Sequence, residues 1–254
     1  MHFTKMEGLG NDFVLVDGSV EITGPLVRQV TDRHRGIGAD GLLQVSLEDG
    51  LLRMGYWNAD GSPAEMCGNG LRCVARFAYD RGLVETTTFE VATPGGLRRV
   101  TVGEEPTVEI GPVEVGESFV FEGWTFQRVR VGNPHAVSFV SNLSNVPVAD
   151  LGSELSRLTE GGTNVEFVRV IDRHKLEMRV WERGVGETMA CGSGMVAAGA
   201  AAFHLGFVDP EVTISVPGGD GVVDLDGTTS WLTGPVRYVF AGETLDAGVI
   251  TASG

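Results

Sequence analysis

Apolar residues along this chain fall mostly into short runs bounded by glycine, proline, asparagine or aspartate, with few stretches at helical spacing. Residues 13–16, 42–47, 51–57, 89–91, 97–102 and 107–110 read as strands. Leu26, Val27 and Val30 recur at helical spacing behind Pro25, which suits a first turn and predicts a helix over 25–34. A second helix is predicted from Cys67 to about 81–82. Further along, 125–131, 136–140, 165–171, 175–181, 212–216, 221–225, 230–233 and 236–240 read as strands. Helices are predicted over 150–158 and after Cys191. Many short strands with about four helices make an α+β fold the expected class. The strands lie too close together for repeated βαβ crossovers to be expected.

One stretch organises the pattern. Residues 66–78 read MCGNGLRCVARFA, with Cys67 standing before a glycine-rich start to a helical run. Residues 191–202, CGSGMVAAGAAA, repeat the arrangement 124 residues later. Other landmarks keep the offset. GNDFVLV begins at Gly10, and GNPHAVSFV begins at Gly132, 122 residues on. Asn58 stands nine residues before Cys67, and Glu182 nine before Cys191. IGPV at 110–113 returns as TGPV at 233–236. Landmarks in register across the chain imply two copies of one unit rather than a many-repeat array. The halves are 1–115, carrying Cys67, and 116–254, carrying Cys191.

Composition narrows the function classes. With 254 residues, 42% hydrophobic and 21% charged, the chain can bury a large core as a globular protein. A formal net charge of −15 disfavours nucleic acid or an anionic membrane as a general partner. No signal-peptide pattern precedes the GNDFVLV segment, and the longest weakly polar run, 195–208, is too short to span a bilayer. Three cysteines without CxxC spacing fit a reducing, cytoplasmic setting. The five histidines form no metal-ligand pair, so no metal is expected. Only Lys5 and Lys175 among 19 basic residues are lysines, and neither has a phosphate-cradling motif beside it, as a pyridoxal phosphate site would need.

A cysteine at a helix N-terminus has chemistry of its own. The first N–H groups of a helix have no partner within it and can hold an anion, and the same field favours a thiolate. Two such thiols, one in each matching half, suit inversion of a stereocentre at a site between the halves. A base removes a proton from one face of a carbon while an acid supplies one to the other. The N–H groups stabilise the charge that spreads onto an adjacent carboxylate. No cofactor is required.

The motifs KMEGLGNDF at 5–13, GIGADG at 36–41, NADGSPAEMCGNGLRC at 58–73, GNPHAV at 132–137, GTNVEF at 162–167 and WERGVGETMACGSG at 181–194 together resemble the diaminopimelate epimerase family, nearly end to end. The resemblance implies two pseudo-symmetric halves, each a mixed sheet wrapped around a central helix. It implies a cofactor-independent epimerase of lysine biosynthesis that interconverts LL- and meso-diaminopimelate, with a small amino-acid substrate and a homodimeric assembly. Cys67 and Cys191 fall on the acid–base pair. Gly68, Asn69, Gly192 and Ser193 fall on substrate contacts at the helix ends. Asn11, Asn58, Asn133, Asn164, Glu182 and Arg183 fall on contacts to the substrate's polar groups, with Arg183 a fork for a carboxylate. His135 and Glu182 fall on positions that tune the thiols. Gly41 departs from the glutamine of many relatives, and Ser193 stands where threonine is frequent.

Other readings of the same residues are a racemase for another amino acid, such as histidine, on the same fold, and a thiol hydrolase pairing one cysteine with His135. A redox sensor joining Cys67 to Cys191 leaves the asparagines and Arg183 unexplained. His135 is also readable as a hydrogen-bonded turn residue after Pro134. Cys73 is expected to pack as a small hydrophobe in its helix.

Overall fold

Short apolar runs separated by turn residues become strands here because each finds a neighbour that satisfies its backbone and covers one face. The computed structural model describes residues 1–64, 67–225 and 227–244. Glu65 and Met66, within one of the motifs, and the last ten residues of the second half lie outside that description. In chain order the elements are β1 (His2–Gly8), β2 (Asn11–Asp17), α1 (Gly24–Thr31), β3 (Gly41–Glu48), β4 (Leu51–Asn58), α2 (Gly68–Asp80), β5 (Thr88–Thr93) and β6 (Gly96–Val102). Next come β7 (Pro106–Gly111), β8 (Glu114–Phe121), β9 (Trp124–Val131), β10 (Asn133–Phe139), α3 (Val148–Leu158), β11 (Asn164–Asp172) and β12 (Lys175–Glu182). The chain continues with β13 (Gly186–Thr188), α4 (Gly192–His204), β14 (Glu211–Val216), β15 (Gly219–Asp224), β16 (Ser230–Thr233) and β17 (Arg237–Glu243).

By packing, the chain divides into Met1–Pro106 with Val236–Gly254, and Thr107–Pro235. In the first unit β17 pairs antiparallel with β1, β1 antiparallel with β2, β2 parallel with β3, β3 antiparallel with β4, β4 parallel with β5, and β5 antiparallel with β6. In the second unit the series β8, β9, β10, β11, β12, β14, β15 runs through the same sequence of antiparallel and parallel pairings. The duplicated offsets in the sequence therefore correspond to one pairing scheme used twice.

The spacing argument against crossovers is overturned. Among the described residues four pairings are parallel, and a helix bridges each: α1 between β2 and β3, α2 between β4 and β5, α3 between β10 and β11, α4 between β12 and β14. A parallel neighbour needs a crossover of a dozen or more residues. Here each crossover encloses a short helix, and the remaining strands are joined as hairpins, so the average spacing hides the crossovers.

Each unit wraps its mixed sheet around one helix. Helix α2 packs on β1, β2, β3, β4 and β6. Helix α4 packs on β8 to β12 and β14 to β16. Nearly every residue of α4 is buried, which explains its run of alanine and glycine: small side chains let a sheet close on it from many directions. A Cβ on Gly199 would sit 3.2 Å from Val223 Cγ1 and 3.4 Å from Val212 Cγ1. Both helices end alike. The N–H groups of Gly82 and Leu83 return to the carbonyls of Tyr79 and Ala78, and those of Gly206 and Phe207 return to Phe203 and Ala202. This is the Schellman closure, with glycine at the left-handed position, φ 68° at Gly82 and 75° at Gly206.

Differences from the pattern-based expectation have local causes. Helix α1 stops at Thr31 instead of running to 34, because the Asp32 carboxylate accepts from the N–H groups of His34 and Arg35 and turns the chain. Strand β1 is hidden by its buried Thr4 and Lys5, the latter ion-paired to Asp12 at 2.6 Å. Strand β8 is mostly exposed and is held by its pairing with β9. Strand β10 begins at Asn133, so His135 stands in a strand rather than in a turn. Cys73 is fully buried in α2, and burial pushes its thiol far up from the ordinary cysteine range.

Candidate active site

In the first unit the chain leaves β4 at Asn58 and enters α2 through Cys67, whose extended backbone (φ −145°, ψ 110°) makes it the residue capping the helix. Its carbonyl accepts from Leu71 N at 2.8 Å, and its sulfur accepts from Gly70 N at 3.4 Å. Asn11, at the start of β2, meets it. Cys67 Sγ lies 3.7 Å from Asn11 Oδ1, which also accepts from Asn69 Nδ2 at 3.4 Å. Asn69 Oδ1 accepts in turn from Arg72 Nη2 at 2.9 Å, deep in the core.

The amide of Asn11 is oriented by its other end. Asn11 Nδ2 donates to Asp40 Oδ2 at 2.7 Å, and Asp40 Oδ1 accepts from Arg33 Nη2 at 2.7 Å. Arg33 also forks onto both oxygens of Asp12, at 2.7 and 3.0 Å. Burial alone would raise Asp12, but hydrogen bonds from Arg33 and Lys5, with their charges, overcome it and hold the carboxyl at about 2. Lys5 closes the network by donating to the Gly38 carbonyl. Asn58 pairs across from Gly41, beside Asp40, and its Nδ2 donates to Ser62 Oγ at 3.1 Å.

In the second unit Cys191 caps α4 with a similar backbone (φ −119°, ψ 113°), and its carbonyl accepts from Met195 N at 2.9 Å. Its Sγ lies 3.6 Å from Ser193 Oγ. Burial raises this thiol well above the ordinary range, and the Glu182 and Glu166 carboxylates raise it further; the Ser193 hydroxyl and the Gly194 N–H of the first turn pull it down but are outweighed, so the helix end does not leave it acidic. Glu182 accepts from Thr188 Oγ1, and its own carboxyl is raised by burial.

His135 is buried between two partners. Its Nδ1 is 2.7 Å from Glu166 Oε1 and its Nε2 is 2.9 Å from Asn133 Oδ1. Asn164 Nδ2 donates to the Pro134 carbonyl at 3.4 Å, and its Oδ1 accepts from Arg183 N at 2.9 Å. The exposed Arg183 donates from Nη1 to the Gly161 carbonyl at 2.8 Å, and its side chain lies against Gly162. Gly68 and Gly192 are the first residues of their helices, both buried.

Within the first unit, then, Asn11, Cys67 and Asn69 form one hydrogen-bonded group, flanked by Gly68, while Asn58 bonds elsewhere. Within the second, Asn133 joins His135, Asn164 joins Arg183, and Cys191 has Ser193, Glu182 and Glu166 for neighbours. Sequence reasoning missed Asp40, Arg72 and Glu166. Glu166 had a signal: it is a lone carboxylate inside the apolar run VEFVRV. Among the described residues no group of three or more histidine, cysteine, aspartate or glutamate side chains is arranged to hold a metal ion, and no helix is long and apolar enough to cross a membrane.

Two matching α+β halves, each closed around a helix capped by a cysteine, define the class of protein as one of a duplicated α+β fold. Solved structures share the whole fold. A phenazine biosynthesis protein of the PhzF family from Bacillus anthracis matches with a TM-score of 0.75 at 15% identity, over 97% of this chain and 99% of its own. A hydroxyproline epimerase from Agrobacterium vitis matches with a TM-score of 0.75 at 16% identity, over 95% and 91%. The chain belongs to the diaminopimelate epimerase family, whose model matches residues 3–116 and 128–239. A diaminopimelate epimerase from Moorella thermoacetica is 40% identical over 96% of this chain and 99% of its own length. Another, from Methanococcus maripaludis strain C6, is 36% identical over 96% and 99%.

Proposed function

We propose that the protein interconverts LL- and meso-diaminopimelate in lysine biosynthesis, with Cys67 and Cys191 as the acid–base pair and no cofactor. The observation that carries the reading is the cysteine capping the central helix in each of two halves built on one pairing scheme. Family membership and relatives named diaminopimelate epimerase support the substrate.

In this mechanism one cysteine, as thiolate, takes the α-proton from one face of the carbon. The other, as thiol, delivers its proton to the opposite face, and the roles exchange for the reverse reaction. The electron pair left on carbon spreads onto the adjacent carboxylate, which the first-turn N–H groups at Gly68, Asn69, Gly192 and Ser193 stabilise. Asn11 accepts from the Cys67 thiol when it is protonated. Asn58, Asn133, Asn164, Glu182 and Arg183 bind the substrate's amino and carboxylate groups, with Arg183 on a carboxylate, while His135 and Glu182 tune the thiols. The reading also takes the enzyme to be a cytoplasmic homodimer, which light scattering and cell fractionation check.

The test is isotopic. In D₂O the delivering thiol carries deuterium from solvent, so early meso product should hold deuterium at the inverted carbon while remaining LL substrate keeps hydrogen. Product that retains substrate hydrogen would refute the two-thiol assignment. Cys67→Ala and Cys191→Ala should each abolish epimerisation. Parallel incubations with L-histidine, L-lysine and L-glutamate test the alternative: faster turnover of histidine than of diaminopimelate would reassign the substrate.

A further inference from the structure

The two halves carry different side chains at one equivalent place. In the first, β2 pairs with β3 so that Phe13 faces Gly41 and Leu15 faces Leu43. In the second, β10 pairs with β11 so that His135 faces Asn164 and Val137 faces Glu166. Phe13 therefore corresponds to His135, and Leu43 to Glu166. The helix glycines give the same match independently. A Cβ on Gly70 would lie 3.2 Å from Leu43 Cδ2 and 3.5 Å from Cys67 Cβ. A Cβ on Gly194 would lie 2.7 Å from Glu166 Oε1 and 3.3 Å from Cys191 Sγ. Beneath one cysteine the fold places leucine, and beneath the other a carboxylate.

Leu43 shows that this position needs no polar group to fold. Glu166 and the side chain of His135 are wholly buried, and Glu166 Oε2 has no hydrogen-bond partner among the described residues. A half-satisfied buried polar pair is less stable than an apolar one, so stability does not explain it.

Proton accounting does. Asn133 Oδ1 only accepts, so His135 Nε2, 2.9 Å away, must carry hydrogen. Nδ1 and Glu166 Oε1, 2.7 Å apart, then share one proton between them. With Oδ1 engaged, Asn133 has its N–H₂ to offer an acceptor on a substrate. We propose that Glu166 is a positioning residue, which fixes the proton pattern of the His135 ring and through it the orientation of the Asn133 amide. This rests on the proposed epimerase reading for what Asn133 meets.

The experiment combines ¹⁵N-histidine NMR with kinetics of LL-diaminopimelate epimerisation. In the wild type, Nε2 of His135 should carry hydrogen, with its signals assigned by their loss in His135→Phe. In Glu166→Gln the new amide donates to Nδ1, so Nε2–H should persist and kcat/KM should stay within about tenfold of wild type. In Glu166→Leu, Nδ1 loses its partner, the fixed Nε2–H signature should disappear, and kcat/KM should fall about a hundredfold, as misplacement of a binding group does. A wild-type ring unprotonated at Nε2 overturns the proposal. So does a folded Glu166→Leu with near-native kinetics, or one that loses activity with the ring signature unchanged. If Glu166→Leu does not fold, Glu166→Gln decides: inactivity with Nε2–H retained overturns it. A wild type that epimerises no diaminopimelate defeats the functional reading, and the ring signature still decides Glu166.

Discussion

Asn11 Oδ1 lies 3.7 Å from Cys67 Sγ, and the amide cannot turn away because its Nδ2 is tied to Asp40 at 2.7 Å. The thiol thus faces an acceptor whose direction is set by a carboxylate on the residue just before β3. Asn11→Leu should keep the fold by circular dichroism and lose about ten- to a hundredfold in kcat/KM, since it removes an acceptor from the reacting sulfur. Asp40→Asn should show a milder loss, because its amide can still accept from Asn11. Equal activity of all three proteins would detach Asn11 from the chemistry.

Arg183 is exposed, and one guanidinium nitrogen is spent on the Gly161 carbonyl at 2.8 Å. If the remaining donors fork onto a substrate carboxylate, Arg183→Lys keeps the charge and loses the fork. The expected result is a rise in KM and a fall in kcat/KM of about tenfold or more, with unchanged melting temperature. Unaltered kinetics would leave Arg183 a surface residue.

Asp12 links the site's support to pH. Its folded value is about 2, below the ordinary aspartate value of about 3.9. The folded protein therefore holds the carboxylate more strongly than the unfolded chain does. That contribution is complete above about pH 4 and is lost as pH falls toward about 2. Thermal melts should show the loss in this window. Asp12→Asn should melt lower at pH 7, because Lys5 and Arg33 lose the carboxylate they share, and should have a flatter acid limb. A parallel limb would assign the acid sensitivity to other carboxylates.

Gly41 offers a test of fit. A Cβ there would meet the Trp57 carbonyl and Tyr56 Cε2, each at 2.7 Å. The carbonyl belongs to backbone and cannot swing aside. Gly41→Gln should therefore destabilise the protein by about 1–3 kcal/mol. Denaturant melts measure this, and an unchanged midpoint would show that β3 and β4 separate more readily than their pairing suggests.

Much of this was legible in the sequence because it is local. Cys67 and Cys191 before glycine, and Gly82 and Gly206 after the last turn, set both ends of α2 and α4 through capping, which depends on residues a few positions apart. The repeated offsets showed the duplication, and alternating apolar runs located most strands. What the sequence could not determine was which strand lies beside which. Strand β17 completes the first unit by pairing with β1, from the opposite end of the chain. The parallel neighbours across α1 to α4 likewise depend on contacts between distant residues. Register also decided the site: only the facing of β10 on β11 puts Glu166 under Cys191 and against His135, where the matching register puts Leu43 under Cys67. Periodicity reports that a side chain faces inward. What it meets there is set by the neighbouring strand and helix, and only the tertiary structure supplies those.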